Sequence, residues 1–305
     1  MRAIDIGGVG LEGSAVALGL MRIDALDELS VVGLIEGAYE VGIDTFDHAD
    51  IYGDGRCEEL FGAAFAKTAI QRSDVLIQTK CGIRDGFFDF SRDHIVASVE
   101  KSLQRLRTDY LDILILHRPD TLMEPDEVAS AFDDLHMSGK VRHFAVSNQN
   151  PGQIELLQAS LRQPLIANQL QFGLGHTGMI DAGFNVNLDN SAAHVRDGGI
   201  LEYCRRKNIT VQAWSVLQYG YFAGSILGEA AFGVLNSELA IEAKRQGVSP
   251  SAVAVAWILR HPAAIQAIVG TTRVERVREF GSAANIDMTK ERWYSLYRAA
   301  GNQLP

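Results

Sequence analysis

Leu111-Asp112-Ile113-Leu114-Ile115-Leu116-His117-Arg118-Pro119-Asp120 opens as a nearly unbroken apolar run and closes on four residues that no strand needs. A strand with one face in water alternates apolar and polar residues, and this one does not. It is therefore covered on both faces, the condition of a parallel sheet flanked by helices. The polar residues behind it are then delivered to the C-terminal end of a strand, where parallel α/β folds place their chemistry.

Helical stripes stand on either side. Val96, Val99, Leu103 and Leu106 recur at helical spacing before the run, and Val128, Ala131, Phe132 and Leu135 after it. Gly139 lies where a helix C-cap belongs. The same alternation extends along the chain. Strands are expected at 15–21, 43–46, 75–80, 111–116, 141–146, 165–170, 210–214 and 264–269. Helices are expected at 28–42, 58–67, 96–106, 128–135, 153–159, 200–207, 237–246, 251–260 and 274–284. Ser249 is an N-cap before Pro250, and Thr289 caps an extra C-terminal helix reaching Ala300. Eight strand–helix units in this length predict an α/β fold, a single (β/α)8 TIM barrel forming one domain over 1–305.

Gly8-Val9-Gly10-Leu11-Glu12-Gly13 matches G-x-G-x-x-G, the pattern of a dinucleotide-binding turn. Too little chain precedes it for a full strand, and residues 14–19 behind it carry no helical stripe. It reads instead as a hairpin turn plugging the bottom of the barrel.

Composition narrows the function. Apolar residues make up 47% and charged residues 22%, which excludes a disordered or fibrous chain. Lys and Arg number 28 against 38 Asp and Glu, a net charge of −10. Such a surface repels nucleic acid and anionic membranes, and neither is expected as a partner. No apolar stretch reaches membrane-spanning length, and no signal peptide is read at the N-terminus. Cys57, Cys81 and Cys204 show no metal-ligand spacing, and a sparse, odd count fits a cytoplasmic protein. The sequence does not set the oligomeric state.

Every strand end from the second to the eighth supplies a polar or aromatic group. The second strand ends at Asp47, with Tyr52 five residues on; the third ends at Lys80, the fourth at His117 and the fifth at Ser147-Asn148. The sixth contains Asn168-Gln169, and the seventh ends at Trp214-Ser215. The eighth opens into Gly270-Thr271-Thr272-Arg273, with Arg276 one turn into the next helix. Asp47, Tyr52, Lys80 and His117 form an acid–base cluster. A tyrosine is a weak acid, and a lysine ammonium close by is expected to lower its pKa. The aspartate holds the lysine, and the histidine can donate to a carbonyl oxygen. Such a set donates a proton to a developing alkoxide. Ser147, Asn148 and Gln169 offer what a carboxamide needs, and Trp214 a stacking surface. The helix start after Gly270 suits a phosphate, and Arg273 and Arg276 point to NADP rather than NAD. A metal site on His48, Asp50, His117 and His143 is disfavoured. His48 and Asp47 are adjacent and face opposite ways, and no paired ligand spacing appears.

Phe46-Asp47-His48-Ala49-Asp50-Ile51-Tyr52-Gly53, Gln78-Thr79-Lys80, Ile115-Leu116-His117-Arg118-Pro119-Asp120, Val146-Ser147-Asn148 and Asn168-Gln169 resemble, in order and spacing, the motif set of the aldo-keto reductases. His117-Arg118-Pro119-Asp120 and Lys140-Val141-Arg142-His143-Phe144 are similar to the bacterial YdhF-like branch. The resemblance implies NADP(H)-dependent reduction of a small-molecule carbonyl substrate by direct hydride transfer. Tyr52 is then the general acid, Lys80 and Asp47 tune it, and His117 orients the carbonyl. It places Ser147, Asn148 and Gln169 on the nicotinamide amide and Trp214 on its ring. Ser215 and Leu217 fall on the pyrophosphate, and Gly270, Thr271, Arg273 and Arg276 on the 2′-phosphate side. Two departures stand out. Phe280 occupies a position where many members carry an adenine-binding asparagine. Residues 173–199 are longer and richer in Gly and Asn than the usual loop, and are expected to be irregular and to reshape a pocket wall. Arg118, Tyr219 and His176 are candidates for that pocket. The alternative is an NADP(H)-binding sensor or scaffold subunit with little turnover, which the intact tetrad disfavours.

Overall fold

The computed structural model describes residues 1–305. It begins with a hairpin, in which β1 (Ala3–Ile6) pairs antiparallel with β2 (Leu11–Ser14). Gly7, in the turn, has φ +75°, and a Cβ there would lie 2.4 Å from Ile166 Cβ, so the chain passes only as glycine. The hairpin crosses the N-terminal ends of the barrel strands. Gly7 N–H donates to Thr210 Oγ1 at 2.9 Å and Ser14 N–H to Asp44 Oδ1 at 2.8 Å. The glycine-rich stretch is thus the bottom plug that the sequence suggests.

The remaining strands are β3 (Val16–Gly19), β4 (Thr45–Asp47), β5 (Leu76–Cys81), β6 (Ile83–Arg84), β7 (Phe87–Phe88), β8 (Leu111–Leu116), β9 (Val141–Ser147), β10 (Leu165–Gln171), β11 (Thr210–Trp214), β12 (Gln218–Tyr219), β13 (Gly224–Ser225) and β14 (Gln266–Gly270). β3, β4, β5, β8, β9, β10, β11 and β14 close a parallel barrel in that order, with β14 returning to β3. The pairs β6–β7 and β12–β13 are short ladders in the loops after β5 and β11. All six residues of β8 are buried, as its apolar run requires. Ser91, Asn150, Ser249 and Thr289 cap four helices, each accepting a hydrogen bond from the N3 backbone N–H.

Residues 173–199 depart from expectation. They contain a helix, Gly178–Phe184, and a 3-10 turn, Ser191–Ala193, and none of them lines the cavity at the barrel mouth. Phe184 packs edge-on against Trp293, Tyr294 and Tyr297, with ring centroids 6.4, 5.9 and 5.1 Å away. Tyr297 O–H donates to Asp181 Oδ1 at 2.7 Å. The segment therefore docks the C-terminal helix Lys290–Ala299 instead of shaping a pocket wall. No helix is long and apolar enough to cross a membrane.

Candidate active site

Alternation along β5 turns Gln78 and Lys80 into the barrel, and Asp47 ends β4 in register with Gln78. Lys80 is 2% exposed and Asp47 3%. Lys80 Nζ donates to Asp47 Oδ1 and Oδ2 at 2.8 and 2.7 Å and to the His48 carbonyl at 2.7 Å. It also lies 3.4 Å from the Tyr52 hydroxyl. Tyr52 starts the 3-10 turn Tyr52–Gly55 on the loop after β4. His117, just past β8, sets its ring edge-on to Tyr52, centroids 6.1 Å apart at 82°. The four side chains line one cavity of about 500 Å³.

The protonation states are set by burial. It pushes the Tyr52 phenol above its ordinary value, and the opposing pull of Lys80 does not cancel it. This corrects the expectation that the lysine sets the net direction downward, because desolvation of a phenolate outweighs one neighbouring ammonium here. Tyr52 therefore stays protonated at neutral pH. Burial also opposes the charge of Lys80, but Asp47 and Tyr52 overcome it, and the ammonium is held above its usual range. Burial, reinforced by Lys80 and Arg118, holds His117 well below the usual imidazole value. A neutral His117 carries one N–H. Its Nδ1 is buried without a partner, which leaves Nε2 open to the cavity.

Beneath this cluster lies a layer of four glutamines, of which only Gln169 is given a part in the site by sequence analysis. Gln169, Gln212 and Gln266 stand in register on β10, β11 and β14. Gln78 reaches them across the barrel, and all four are at most 2% exposed. At the bottom Gln266 Nε2 donates to the Ser14 carbonyl at 2.7 Å. Gln266 Oε1 accepts from Gln212 Nε2 at 2.7 Å. Gln212 Oε1 accepts from Gln78 Nε2 at 3.2 Å and from Gln169 Nε2 at 3.0 Å. Those two nitrogens also donate to Asp47 Oδ1, each at 2.7 Å. A carbonyl at one end and a carboxylate at the other can only accept, so every amide direction is fixed. The layer stabilises a buried carboxylate and leaves Gln169 with only Oε1 to offer a ligand.

The cofactor candidates mostly converge. Ser147, Asn148, Gln169, Trp214, Ser215, Leu217, Gly270, Thr271 and Arg276 line the same cavity, and buried Phe280 lines it too. Arg273 does not; it is exposed as the N-cap residue of the helix Val274–Gly281. Asn148 and Ser215 hold φ of +57° and +53°, strain of the kind that collects at binding sites. Asn148 Nδ2 donates to Ser147 Oγ at 2.6 Å, and its Oδ1 accepts from Trp214 Nε1 at 3.3 Å. Arg118 lines the cavity, whereas Tyr219 packs on Phe232 and neither it nor His176 reaches the lining. His48 is fully buried against Phe61, and no three His, Cys, Asp or Glu side chains converge to hold a metal ion.

Comparison with known proteins gives the same answer from a different direction. The model of the Aldo/keto reductase family matches residues 15–299. Oxidoreductase YdhF of Escherichia coli is 36% identical over 98% of both chains. A 6-dehydroglucose reductase of Agrobacterium fabrum is 35% identical over 95% of both. An aldo-keto reductase from Klebsiella pneumoniae, solved with NADPH, superposes with a TM-score of 0.77 at 23% identity, covering 97% of this chain and 94% of that one. The closed barrel, the four polar groups at its mouth and a family match along nearly the whole length lead to one assignment: this chain belongs to the Aldo/keto reductase family of oxidoreductases.

Proposed function

We propose that the protein reduces small aldehydes or ketones to alcohols with NADPH, in the cytoplasm. The observation that carries this reading is a protonated Tyr52 beside a neutral His117, both open to a cavity that continues to Arg276. The residues fit the cofactor. Gln169 Oε1 can accept from a carboxamide, Asn148 and Ser147 border it, and Trp214 offers a flat face. Arg276, exposed and in no ion pair, and the free N–H groups opening Val274–Gly281 suit a phosphate monoester. When bound, NADPH supplies the hydride to the carbonyl carbon. His117 Nε2–H holds the carbonyl oxygen, and Tyr52 O–H donates the proton that completes the alcohol. Lys80, neutralised by Asp47, sits behind the phenolate that Tyr52 leaves and stabilises it. Three buried free thiols fit a reducing compartment.

The test is titration with NADPH and NADH, followed by a panel of aldehydes and ketones. The panel includes a polyhydroxylated aldehyde, in view of the name of the Agrobacterium relative. NADPH is expected to bind more tightly and to be oxidised by at least part of the panel. Preference for NADH would overturn the part given to Arg276.

A further inference from the structure

We propose that Arg118 selects carbonyl substrates bearing an oxyanion, a carboxylate or a phosphate. The proposal rests on the reductase reading above and names the substrate class of that same site. Four arginines of the chain are not exposed: Arg72, Arg105, Arg118 and Arg292. Three of them have carboxylate partners, Arg72 with Asp112 at 2.7 Å, Arg105 with Glu58 at 2.6 Å and Arg292 with Glu238 at 2.5 Å. Arg118 alone has neither a hydrogen-bond nor an ion-pair partner in the protein. This half-buried arginine lies at the mouth of the active site, with its N–H groups unclaimed by the protein.

Its setting explains how it is held. The guanidinium carbon lies 5.6 Å from the Trp214 ring centroid and 5.9 Å from that of Tyr221. Both distances are within cation–π range, and no acceptor in the protein occupies the guanidinium's N–H edge. That edge is the part that forks onto a carboxylate or phosphate. Arg118 also comes directly after His117, so an anion on its edge belongs to the molecule whose carbonyl His117 holds.

The charges of the lining separate into two groups. Its cations are Arg22, Lys80, Arg118 and Arg276, and its one carboxylate, Asp47, is taken by Lys80. Three cations therefore remain unmatched in a chain of net charge −10. Arg22 and Arg276 lie behind β3 and β14, which are neighbours in the barrel. Those two suit the cofactor phosphates. Arg118 lies behind β8, three strands on from β3, and answers to a different anion.

The experiment compares two matched pairs in steady-state turnover with NADPH: succinic semialdehyde against butanal, and glyceraldehyde 3-phosphate against glyceraldehyde. For at least one pair, kcat/KM is expected to favour the anionic member by roughly 10- to 100-fold, the range of a charge-assisted fork. Which pair responds identifies carboxylate or phosphate. Arg118→Met brings that ratio toward one, and Arg118→Lys, a point charge without the fork, retains part of it. Ratios near one in the native protein for both pairs would overturn the proposal, as would a ratio that survives in Arg118→Met. Oxidation of NADPH by the neutral aldehydes without anionic preference removes this inference and leaves the reductase reading standing. No oxidation with any of the four removes that reading, and this inference with it.

Discussion

Asp50 and Tyr52 stand two residues apart on the loop after β4, and burial pushes both upward. In Tyr52 the consequence is chemical, because a phenol kept protonated is a proton donor across the neutral range. In Asp50 it is energetic. Burial, then repulsion from Glu58, raises its carboxyl to about 6, and its Oδ1 has no partner. A carboxyl raised in the folded state favours folding when protonated. That stability is fully present below the ordinary carboxylate pKa and is lost as pH rises through about 6. Asp50→Asn removes the penalty. The variant is expected to be more stable than the parent by about 2 kcal/mol at pH 8, and to lose that advantage near pH 4. Urea denaturation at the two pH values measures it, and an unchanged difference between them would contradict the assignment. The meeting of Asp47, Tyr52, Lys80 and His117 at one rim was legible in sequence, because strand ends in a barrel share one face. The sign of the Tyr52 shift was not, because it depends on how deeply the hydroxyl is buried.

Among the elements, β8 was legible to the residue, because burial on both faces leaves an unmistakable run. The bounds of β5 and β9 slipped by one residue, to Cys81 and Ser147, since hydrogen bonding continues beyond the apolar stretch. The helix Gly178–Phe184 was missed because two turns carry too little periodicity, and its partner Tyr297 is 116 residues away from Asp181. The glutamine layer was hidden for a related reason. Gln212 and Gln266 read as single polar residues in strands until the barrel register sets them side by side. Gln212→Leu strips partners from Gln78, Gln169 and Gln266 at once. It is expected to destabilise the fold by about 3 kcal/mol and to lower kcat, because the amides facing Asp47 lose their fixed direction. Denaturation and turnover of this one variant check both. A neutral substitution would mean that the layer only fills space.

Across the whole molecule, a net charge of −10 surrounds a cavity whose unmatched side chains are all cations. That contrast suits an anionic cofactor, and it explains how an acidic chain can bind one. The barrel and the family could be read from eight repeated units and five ordered motifs. The position of Arg273, outside the cavity, could not, because one turn of helix decides whether an arginine faces inward or into solvent. The central claim is that Tyr52 donates the proton in NADPH-dependent carbonyl reduction. Its most direct test is Tyr52→Phe, measured for NADPH affinity and for aldehyde turnover on the same preparation. NADPH affinity close to that of the native protein, with turnover reduced at least a hundredfold, as expected for loss of a positioned general acid, is the predicted result. Undiminished turnover would contradict the account.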